Sequence, residues 1–399
     1  MRSRWFVLPA VAAVVVLVAP TAAASARDTA QEVIAPGVTY EQFERETSHG
    51  TAVVHLVTVD LTQDGVGLDL LHAGSVAAKD PISELADAQA AVAGVNGDFF
   101  NISQEHDEAP ATNSSVGPEV AAGKDLKGAV PNGQRFGPGL VDGTTTQDVF
   151  GLGVDGDARV GSLAVDGLVH TGAADLDLVG LNQYAIAVNG IGAFTADWGT
   201  VSRMRSVCGT DTDRQAPCSD QTAEVTITGG QVTATSEQPG SGAIDADSVV
   251  LVGREDGAKQ LDQLVVGDAV TVEYRLDHGT DPAYTFAVGG APILRDGAVL
   301  SGVDSSALAP RTAAGASLDG DHVYLVAVDG RSTASVGMTL TELAGYLAEL
   351  GADDGVNLDG GGSTTVVARE SGADTVTVRN KPSDGAQRPV PNGIGVLAG

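Results

Sequence analysis

Glycine interrupts this chain so often that long uninterrupted secondary structure is excluded for most of it. The chain has 52 glycines among 399 residues, about twice the usual share, and only 4% of the residues are aromatic. Segments such as EVTITGGQVTATS show short apolar runs separated by turns. Because glycine also lets the backbone approach another molecule closely, we expect short strands, tight turns and a site at which main chain contacts a ligand.

The pattern of apolar runs predicts an α+β fold: a strand-rich mixed sheet core with a few packed helices and a small β insertion. Two apolar runs flank the turn at 62–65 and predict a hairpin over 51–72. Asp80 and the following proline predict the start of a short helix. Thr339 and Glu342 form a capping box for a second helix, which should end at Gly351.

Residues 1–26 have the three parts of a secretory signal peptide. Arg2 and Arg4 precede an apolar run over 5–19, and a small-x-small cleavage pattern follows at 24–26. The alternative is a membrane anchor, but the run is shorter than the roughly 20 residues that a spanning helix needs. We therefore predict a secreted, extracellular protein with no membrane span after signal cleavage.

The rest of the chain divides into a lead segment over 27–50 and a main domain over 51–399, with a β-rich insertion at 203–282. Cys208 and Cys218 lie in a polar loop of the insertion. We predict a disulfide between them, since nearby cysteines in an exported protein usually pair. Two cysteines without a neighbouring histidine are too few for a zinc site.

The formal net charge of −30 limits the classes of partner. Nucleic acid binding needs a basic face, and adhesion to anionic lipid needs basic residues as well. Both are disfavoured here. A small anionic substrate remains compatible with the charge, because one or two arginines could hold it.

The strongest functional motif is NLDGGGSTT at 357–365. A predicted buried strand brings Asn357 and Asp359 to its end, and three glycines then expose backbone N–H groups. Two hydroxyl side chains follow. The pattern indicates an anion or sugar site beside a carboxylate, although a plain glycine turn between strands is the alternative. The residues in question are Asn357, Asp359, Gly360, Gly361, Gly362, Ser363 and Thr364.

Three further segments carry candidate site residues. Asn96 and Asp98 follow another predicted strand in NGDFF, for which a turn with a buried Phe pair is the alternative. Arg311 with Thr312, and Asp329 with Arg331, place two arginines at the ends of predicted strands. Arginine binds phosphate or carboxylate through two parallel N–H groups. A surface ion pair is the alternative for either arginine.

Several other patterns carry little weight. The GxGxxG match at 151–156 predicts a hairpin rather than a dinucleotide site, because no helix follows it. The acidic segment 105–108 predicts a solvated loop, with metal binding or acid/base chemistry as the alternative. The chain contains no GxSxG and no HExxH motif, which disfavours serine hydrolases and zincins.

Taken in order, these motifs resemble the phosphodiester glycosidase family, the family of the lysosomal uncovering enzyme. The resemblance covers roughly 50–399, with 203–282 as a variable part, and Asp98 stands where family members often have a second glycine. The matching pieces are VNGDFF (95–100), VGGAPILRDG (288–297), PRTAAG (310–315), VDGR (328–331), GMTLTELAGYLAELGA (337–352), NLDGGGSTT (357–365) and RPVPNGIGV (388–396).

The resemblance implies a hydrolase that cleaves a sugar-1-phosphodiester at the anomeric carbon, in cell-wall or extracellular glycan. We expect Asp359 to be the nucleophile or general base, with Asp98 and Asp329 as further catalytic carboxylates. Asp329 would also orient Arg331. The phosphate clamp would comprise Arg311, Arg331 and the N–H groups of the three glycines. The remaining substrate contacts would come from Asn96, Thr312, Asn357, Ser363, Thr364, Arg388 and Asn392.

Two alternatives stay open at this stage. An ordinary glycoside hydrolase acting on a phosphate-free polysaccharide would need a second carboxylate as acid, from Asp98, Glu105 or Asp329. A non-catalytic glycan-binding wall protein is disfavoured because the chain has only two tryptophans for stacking on sugars. No cofactor is required by the sequence, which leaves room for a divalent metal such as calcium. The sequence does not determine whether a metal is bound or which oligomeric state the protein has.

Overall fold

The computed structural model describes residue 1 and residues 31–399, so the predicted signal peptide, apart from its first residue, lies outside the described residues. Within this part of the chain there are 26 β-strands, three α-helices and four short 3-10 helices. The expected strand-rich core with few helices is confirmed, but the fold is mostly β. Among the described strands one neighbouring pair is parallel and the others are antiparallel, so the sheets are less mixed than expected.

The largest sheet has eight strands and supports one side of the candidate site. In spatial order they are β1 (Glu32–Ala35), β2 (Val38–Thr47), β3 (Gly50–Asp60), β22 (His322–Val328), β21 (Arg311–Ala316), β23 (Asp354–Asn357), β19 (Ala291–Arg295) and β20 (Ala298–Val299). Helix α3 (Leu340–Leu350) packs on one face of this sheet through Leu343 and Leu347. The predicted lead segment thus contributes two strands to this sheet.

A second sheet supports the other side of the site. Its five strands are β25 (Val376–Val378), β24 (Val366–Arg369), β5 (Ala93–Asn96), β26 (Asn392–Ala398) and β4 (Val66–His72), in spatial order. Helix α1 (Ile82–Ala88) packs against it. A shared apolar core, which includes Val57 and Leu325 from the first sheet and Val95 and Ile394 from the second, joins the two sheets face to face.

A third sheet carries the loop that leads to Asp98. Its strands are β7 (Lys124–Lys127), β6 (Glu119–Ala121), β18 (Tyr284–Gly289), β8 (Asp148–Gly153) and β9 (Ala158–Ser162), in spatial order. Strands β8 and β9 are antiparallel neighbours joined at residues 154–157. The predicted hairpin in the GxGxxG segment is therefore confirmed.

Two smaller sheets have a core of their own. One contains β12 (Gly180–Leu181), β13 (Ile191–Phe194), β16 (Ser248–Arg254), β14 (Thr222–Thr228) and β15 (Gln231–Ser236), and the other contains β11 (Asp175–Asp177), β10 (Ala164–His170) and β17 (Thr271–Asp277). Helix α2 (Asp256–Leu261) packs on the first of them. Two strands of 203–282, β16 and β17, pair with the earlier strands β13 and β10. The predicted domain boundaries stay predictions.

The four 3-10 helices connect these sheets: Asn132–Gln134, Ala196–Trp198, Met204–Val207 and Gly361–Ser363. Among the residues that the structure describes, no helix is long and apolar enough to cross a membrane.

The predicted hairpin over 51–72 is wrong. Strand β3 pairs with β2 and β22, and β4 pairs with β26 in the other sheet. Most of β3 is buried on both faces, so it needs partners along both edges, and a distant strand supplies one of them. Asp80 is also not a cap: α1 starts after Pro81 without a side-chain cap, and the backbone of Asp80 pairs with Val390.

The predicted disulfide is confirmed, since Cys208 and Cys218 are bonded to each other. His106 lies close to both sulfurs in space, with its ring nitrogen within 4.8 Å. The expectation that no histidine is near the cysteines therefore holds only along the sequence. A metal would bind cysteines as thiolates. Because both sulfurs are bonded in the disulfide, His106 is a neighbour of the disulfide rather than part of a metal site. Its Nε2 lies 3.1 Å from the carbonyl oxygen of Arg214.

The capping box of α3 is confirmed in full. The Thr339 hydroxyl accepts the Glu342 N–H, the Glu342 carboxylate accepts the Thr339 N–H, and Gly351 ends the helix in the left-handed conformation. The helix lies under β21 and β23, so its N-terminus helps to fix the strands that lead into the candidate site.

We expect Thr339→Ala to lower the free energy of unfolding by about 1 kcal/mol, because the buried cap loses its acceptor for the Glu342 N–H. Urea denaturation measures this loss. The exposed Thr200, which makes no side-chain hydrogen bond among the described residues, supplies the control variant Thr200→Ala. Equal stability of the two variants would contradict a stabilising role for the capping box.

Candidate active site

The candidate site forms where β5 of one sheet meets β21 and β23 of the other. Asn96, at the end of β5, is fully buried. Its Oδ1 accepts the Thr312 hydroxyl at 2.7 Å and the Thr365 N–H at 3.0 Å, and its Nδ2 donates to the Asp359 carbonyl at 2.7 Å. Asn96 and Thr312, both predicted to bind the substrate, are thus hydrogen-bonded to each other in the interior, where they join the two sheets.

Asp359 is the central carboxylate of the site. Its Oδ2 accepts the Ser363 hydroxyl at 2.6 Å and its Oδ1 accepts the Gly360 N–H at 2.9 Å. Burial raises the pKa of Asp359 to about 7, and the nearby Asp98 adds to the increase, whereas Ser363, Arg388 and the Gly360 N–H oppose it. The carboxyl is therefore held in one orientation and changes charge near neutral pH.

The glycine run gives space to two arginine side chains. A Cβ atom on Gly362 would collide with the Arg388 guanidinium and the Asp384 carboxylate. A Cβ on Gly361, which has φ +61°, would lie only 3.0 Å from Arg331 Nη2. Larger residues at these positions would displace the guanidinium groups, which explains the need for glycine.

Arg388 and Arg331 differ in their partners. Arg388 lies 3.4 Å from the Ser363 hydroxyl and forms an ion pair with Asp384 at 2.6 Å. Arg331 is exposed, and among the described residues it has no hydrogen-bond or ion-pair partner. Its backbone has φ +56°, a conformation that is costly for a residue other than glycine. Arg331 is thus a cation available to a ligand, held over Gly361.

Arg311, the other arginine of the predicted phosphate clamp, is bonded to backbone carbonyls. Its Nε donates to the Met338 carbonyl at 2.9 Å and its Nη2 to the Ala307 carbonyl at 2.5 Å. The side chain is buried, and burial lowers the pKa of Arg311. These bonds tie the start of β21 to neighbouring loops. The guanidinium groups beside Gly361 and Gly362 are those of Arg331 and Arg388, whereas the backbone of Arg311 lies beside Gly360.

Asp98 lies in the interior next to the site. Its two carboxylate oxygens accept the Gly117 N–H at 2.6 Å and the Phe99 N–H at 2.8 Å. Burial raises the pKa of Asp98 to about 6, against the Gly117 N–H and the charge of Lys127. Asn392 accepts the Asp98 N–H at 2.9 Å, so this predicted substrate contact also supports Asp98.

A buried polar cluster next to Asp98, formed by Lys127 and Glu119, was not predicted from the sequence. Lys127 is fully buried and donates to the Gly117 and Gly128 carbonyls at 2.5 and 2.8 Å. Burial lowers the pKa of Lys127 to about 8, and Glu119 and Asp98 oppose the shift. The one available signal was a lysine within a glycine-rich segment of a chain that has only 22 basic residues.

Asp329 lies in a hydrogen-bond network that reaches the Thr364 carbonyl through Asn380. Its carboxylate lies 3.4 Å from His55 Nε2 and accepts the Lys381 N–H at 3.0 Å. His55 is buried and its Nδ1 lies 2.8 Å from the Tyr40 hydroxyl. In the described part of the chain, Arg331 is not a hydrogen-bond or ion-pair partner of Asp329. The predicted orienting of Arg331 by Asp329 therefore stays a prediction.

Two predicted site residues have polar atoms without partners. Within the described residues, both side-chain polar atoms of the buried Asn357 and the hydroxyl of the buried Thr364 make no hydrogen bond. Such atoms are rare in folded proteins and require a ligand, a water molecule or a rearrangement.

The acidic segment at 105–108 differs, because Glu105 pairs with Arg214 at 2.7 Å and Arg205 at 3.5 Å.

Two solved structures with a similar fold are bacterial. A hypothetical protein from Synechocystis is 22% identical with a TM-score of 0.71, over 94% of this chain and 64% of that one, so the chain spans about two thirds of the relative's length. A protein from Burkholderia pseudomallei that is named as exported is 22% identical with a TM-score of 0.64, over 87% of this chain and 74% of that one. At this identity the similarity shows a shared fold.

A third solved structure is the zebrafish N-acetylglucosamine-1-phosphodiester alpha-N-acetylglucosaminidase catalytic domain, auto-inhibited by its pro-peptide. It is 14% identical with a TM-score of 0.45, over 92% of this chain and 87% of that one. No curated protein matches the chain. The family described as phosphodiester glycosidase matches residues 221–397. The resemblance indicated by the motifs is therefore confirmed, and residues 221–397 match a phosphodiester glycosidase domain.

Proposed function

We propose that this protein is a secreted hydrolase that cleaves a sugar-1-phosphodiester at the anomeric carbon, in extracellular or cell-wall glycan. The match to the phosphodiester glycosidase family supports a glycosidase-type hydrolase. The observation that carries the proposal is the Asp359 carboxylate, which is bonded to Ser363 and Gly360 beside a glycine run that two guanidinium groups approach.

Asp359 acts in its ionised form. Either the carboxylate attacks the anomeric carbon to form a glycosyl-enzyme, which a water molecule then hydrolyses to release the sugar and free Asp359, or it removes a proton from a water molecule that attacks the same carbon. In both cases the bond between the anomeric carbon and the phosphate oxygen breaks. The bonds from Ser363 and Gly360 keep the carboxylate in one orientation, which lowers the entropic cost of reaching the transition state.

The phosphate group binds over the glycine run. Arg331 has no ionic partner among the described residues and is therefore free to pair with a phosphate oxygen. Arg388 lies beside Ser363 and supplies a second cation. Together they stabilise the negative charge that grows on the leaving phosphate.

A phosphate leaving group makes fewer demands on the other carboxylates than a neutral one does. An ordinary glycoside needs an acid to protonate the departing oxygen. Asp98 accepts two N–H groups in the interior, Glu105 is ion-paired with Arg214, and Asp329 accepts the Lys381 N–H near His55. A phosphate monoester, whose second pKa is about 6, departs without a proton. The proposed reaction therefore needs no second carboxylic acid.

Three observations support secretion. The first 26 residues have the pattern of a signal peptide, and one structural relative is named as an exported protein. The disulfide between Cys208 and Cys218 fits an oxidising compartment.

Asp359→Asn should lower kcat for a hexose-1-phosphate methyl diester by about 10²–10⁴-fold, because the amide can neither attack nor accept a proton. Release of reducing sugar measures the rate. Asp353→Asn is the matched control, since Asp353 lies at the start of the same segment and its carboxylate makes no hydrogen bond among the described residues. Unchanged turnover in the Asp359 variant would contradict the assignment.

The pH dependence tests the charge state of Asp359. The ionised form is the active one, so kcat/KM should rise with pH and reach half its maximum near the pKa of about 7 in the free enzyme. Initial rates measured from about pH 5 to pH 9 give this profile. A rate that falls as the pH rises through the same range would mean that Asp359 acts as an acid, contrary to the proposal.

Arg331→Ala should lower kcat/KM for the methyl diester by about 10²-fold, because the leaving phosphate loses a cation. The methyl glycoside of the same sugar has no phosphate, and its slow turnover should not change. Arg275→Ala serves as the control, since Arg275 is an exposed arginine paired with Asp166 on β10. Equal losses on the two substrates would show that Arg331 does not contact the phosphate.

A further inference from the structure

An open groove of about 530 Å³ lies between the loop at 132–144 and the disulfide loop at 208–218. Arg135, Gly139 and Leu140 line one side, and Asp211 and Thr212 line the other. The proposed chemistry leaves this groove unused, although it borders the residues around Asp98.

The two walls of the groove are bonded to each other and therefore keep a fixed spacing. The Gly133 N–H donates to the Asp211 carbonyl at 2.9 Å, and Gln134 Nε2 donates to the Thr210 carbonyl at 2.6 Å. A Cβ on Gly133 would collide with Thr212. Because the disulfide also closes the second loop, the groove has the rigidity expected of a preformed ligand site.

Arg135 lines the groove, and its guanidinium makes no hydrogen bond among the described residues. Its Nε and Nη1 are buried and have no partner among the described residues. The guanidinium stacks 5.5 Å from the centre of the Phe99 ring, so its position is set by packing. Burial lowers the pKa of Arg135, and the Asp98 charge opposes the shift. A guanidinium that lines a groove without a hydrogen-bond partner favours an oxygen-bearing ligand.

The groove connects to the candidate site through Asp98. A cavity of about 10 Å³, which holds at most one water molecule, is lined by Arg135, Asp98 and Gly117. Asp98 follows Gly97, whose carbonyl accepts the Asp359 N–H at 2.9 Å. A ligand larger than water must therefore lie in the groove itself, which shares Arg135 and Leu140 with this cavity.

We propose that this groove binds a neutral sugar ring, with the Arg135 guanidinium donating hydrogen bonds to its oxygen atoms. The inference rests on the proposed function and names the place for the glycosyl part of its substrate. A neutral ligand fits better than an anion, because Asp98 and the groove residues Asp142 and Asp211 oppose the single arginine. Hydroxyl groups can accept from Arg135 and donate to these carboxylates.

The test measures binding rather than turnover. The full mature chain with Asp359→Asn is titrated separately with glucose, galactose, mannose, N-acetylglucosamine and inorganic phosphate, and binding is followed by calorimetry and saturation-transfer NMR. We expect at least one of the sugars to bind. Arg135→Met should weaken that binding at least about tenfold, the loss of one or two charged hydrogen bonds, and should leave phosphate binding unchanged. Arg331→Ala should have the opposite pattern.

A second variant covers the case in which Arg135→Met does not fold. Gly139 lines the groove and a Cβ there would meet nothing within 4 Å, so Gly139→Trp should fold and block the groove. Gly172→Trp is the matched control, because Gly172 is equally open and lies on the loop between β10 and β11. Thermal unfolding verifies that each variant is folded.

The outcomes separate this inference from the proposed function. Absence of binding by all four sugars, or sugar binding that Gly139→Trp leaves unchanged, would overturn the groove assignment. Loss of phosphate binding in Arg135→Met would overturn it too, since the groove would then be an anion subsite. If the sugar binds as expected but no phosphodiester is hydrolysed by the unmodified chain, the proposed function fails and the sugar site stands.

Discussion

The buried amide of Asn96 is the interaction on which the geometry of the site depends. It accepts from Thr312 and Thr365 and donates to the carbonyl of Asp359, so one side chain joins the ends of strands from two sheets. Loss of this amide would leave three polar groups unpaired in the interior, at a cost of about 1–3 kcal/mol each. These three hydrogen bonds of Asn96 fix the position of the Asp359 backbone and therefore of its carboxylate.

The same arrangement that positions Asp359 also makes it a source of instability. Its pKa in the folded protein lies above the value in the unfolded chain, so the folded state binds the proton more tightly. Stability contributed by this group is therefore lost as the pH rises from the unfolded pKa near 4 toward about 7. An enzyme that uses the ionised carboxylate works in the range where the fold gains least from that residue, a common compromise at active sites.

Parts of the fold that depend on neighbouring residues could be predicted from the sequence, whereas strand pairing could not. The capping box of α3 and the β8–β9 hairpin were predicted correctly because each needs only a few adjacent residues. The hairpin over 51–72 failed because strands buried on both faces take their partners from distant parts of the chain. Asp80 failed as a cap for a similar reason, since its backbone pairs with Val390.

For the site, the sequence indicated the kinds of residue but not their directions. Asp359 and its glycines follow from one local motif, whereas Arg311 and Arg331 look alike in the sequence. Arg311 lies in a buried strand and bonds to carbonyls, whereas Arg331 follows a strand in a left-handed conformation and has no hydrogen-bond or ion-pair partner among the described residues. Arg135 could not be found, because its surroundings come from several loops. In a chain of net charge −30, such local positive charges determine where an oxygen-rich ligand can bind.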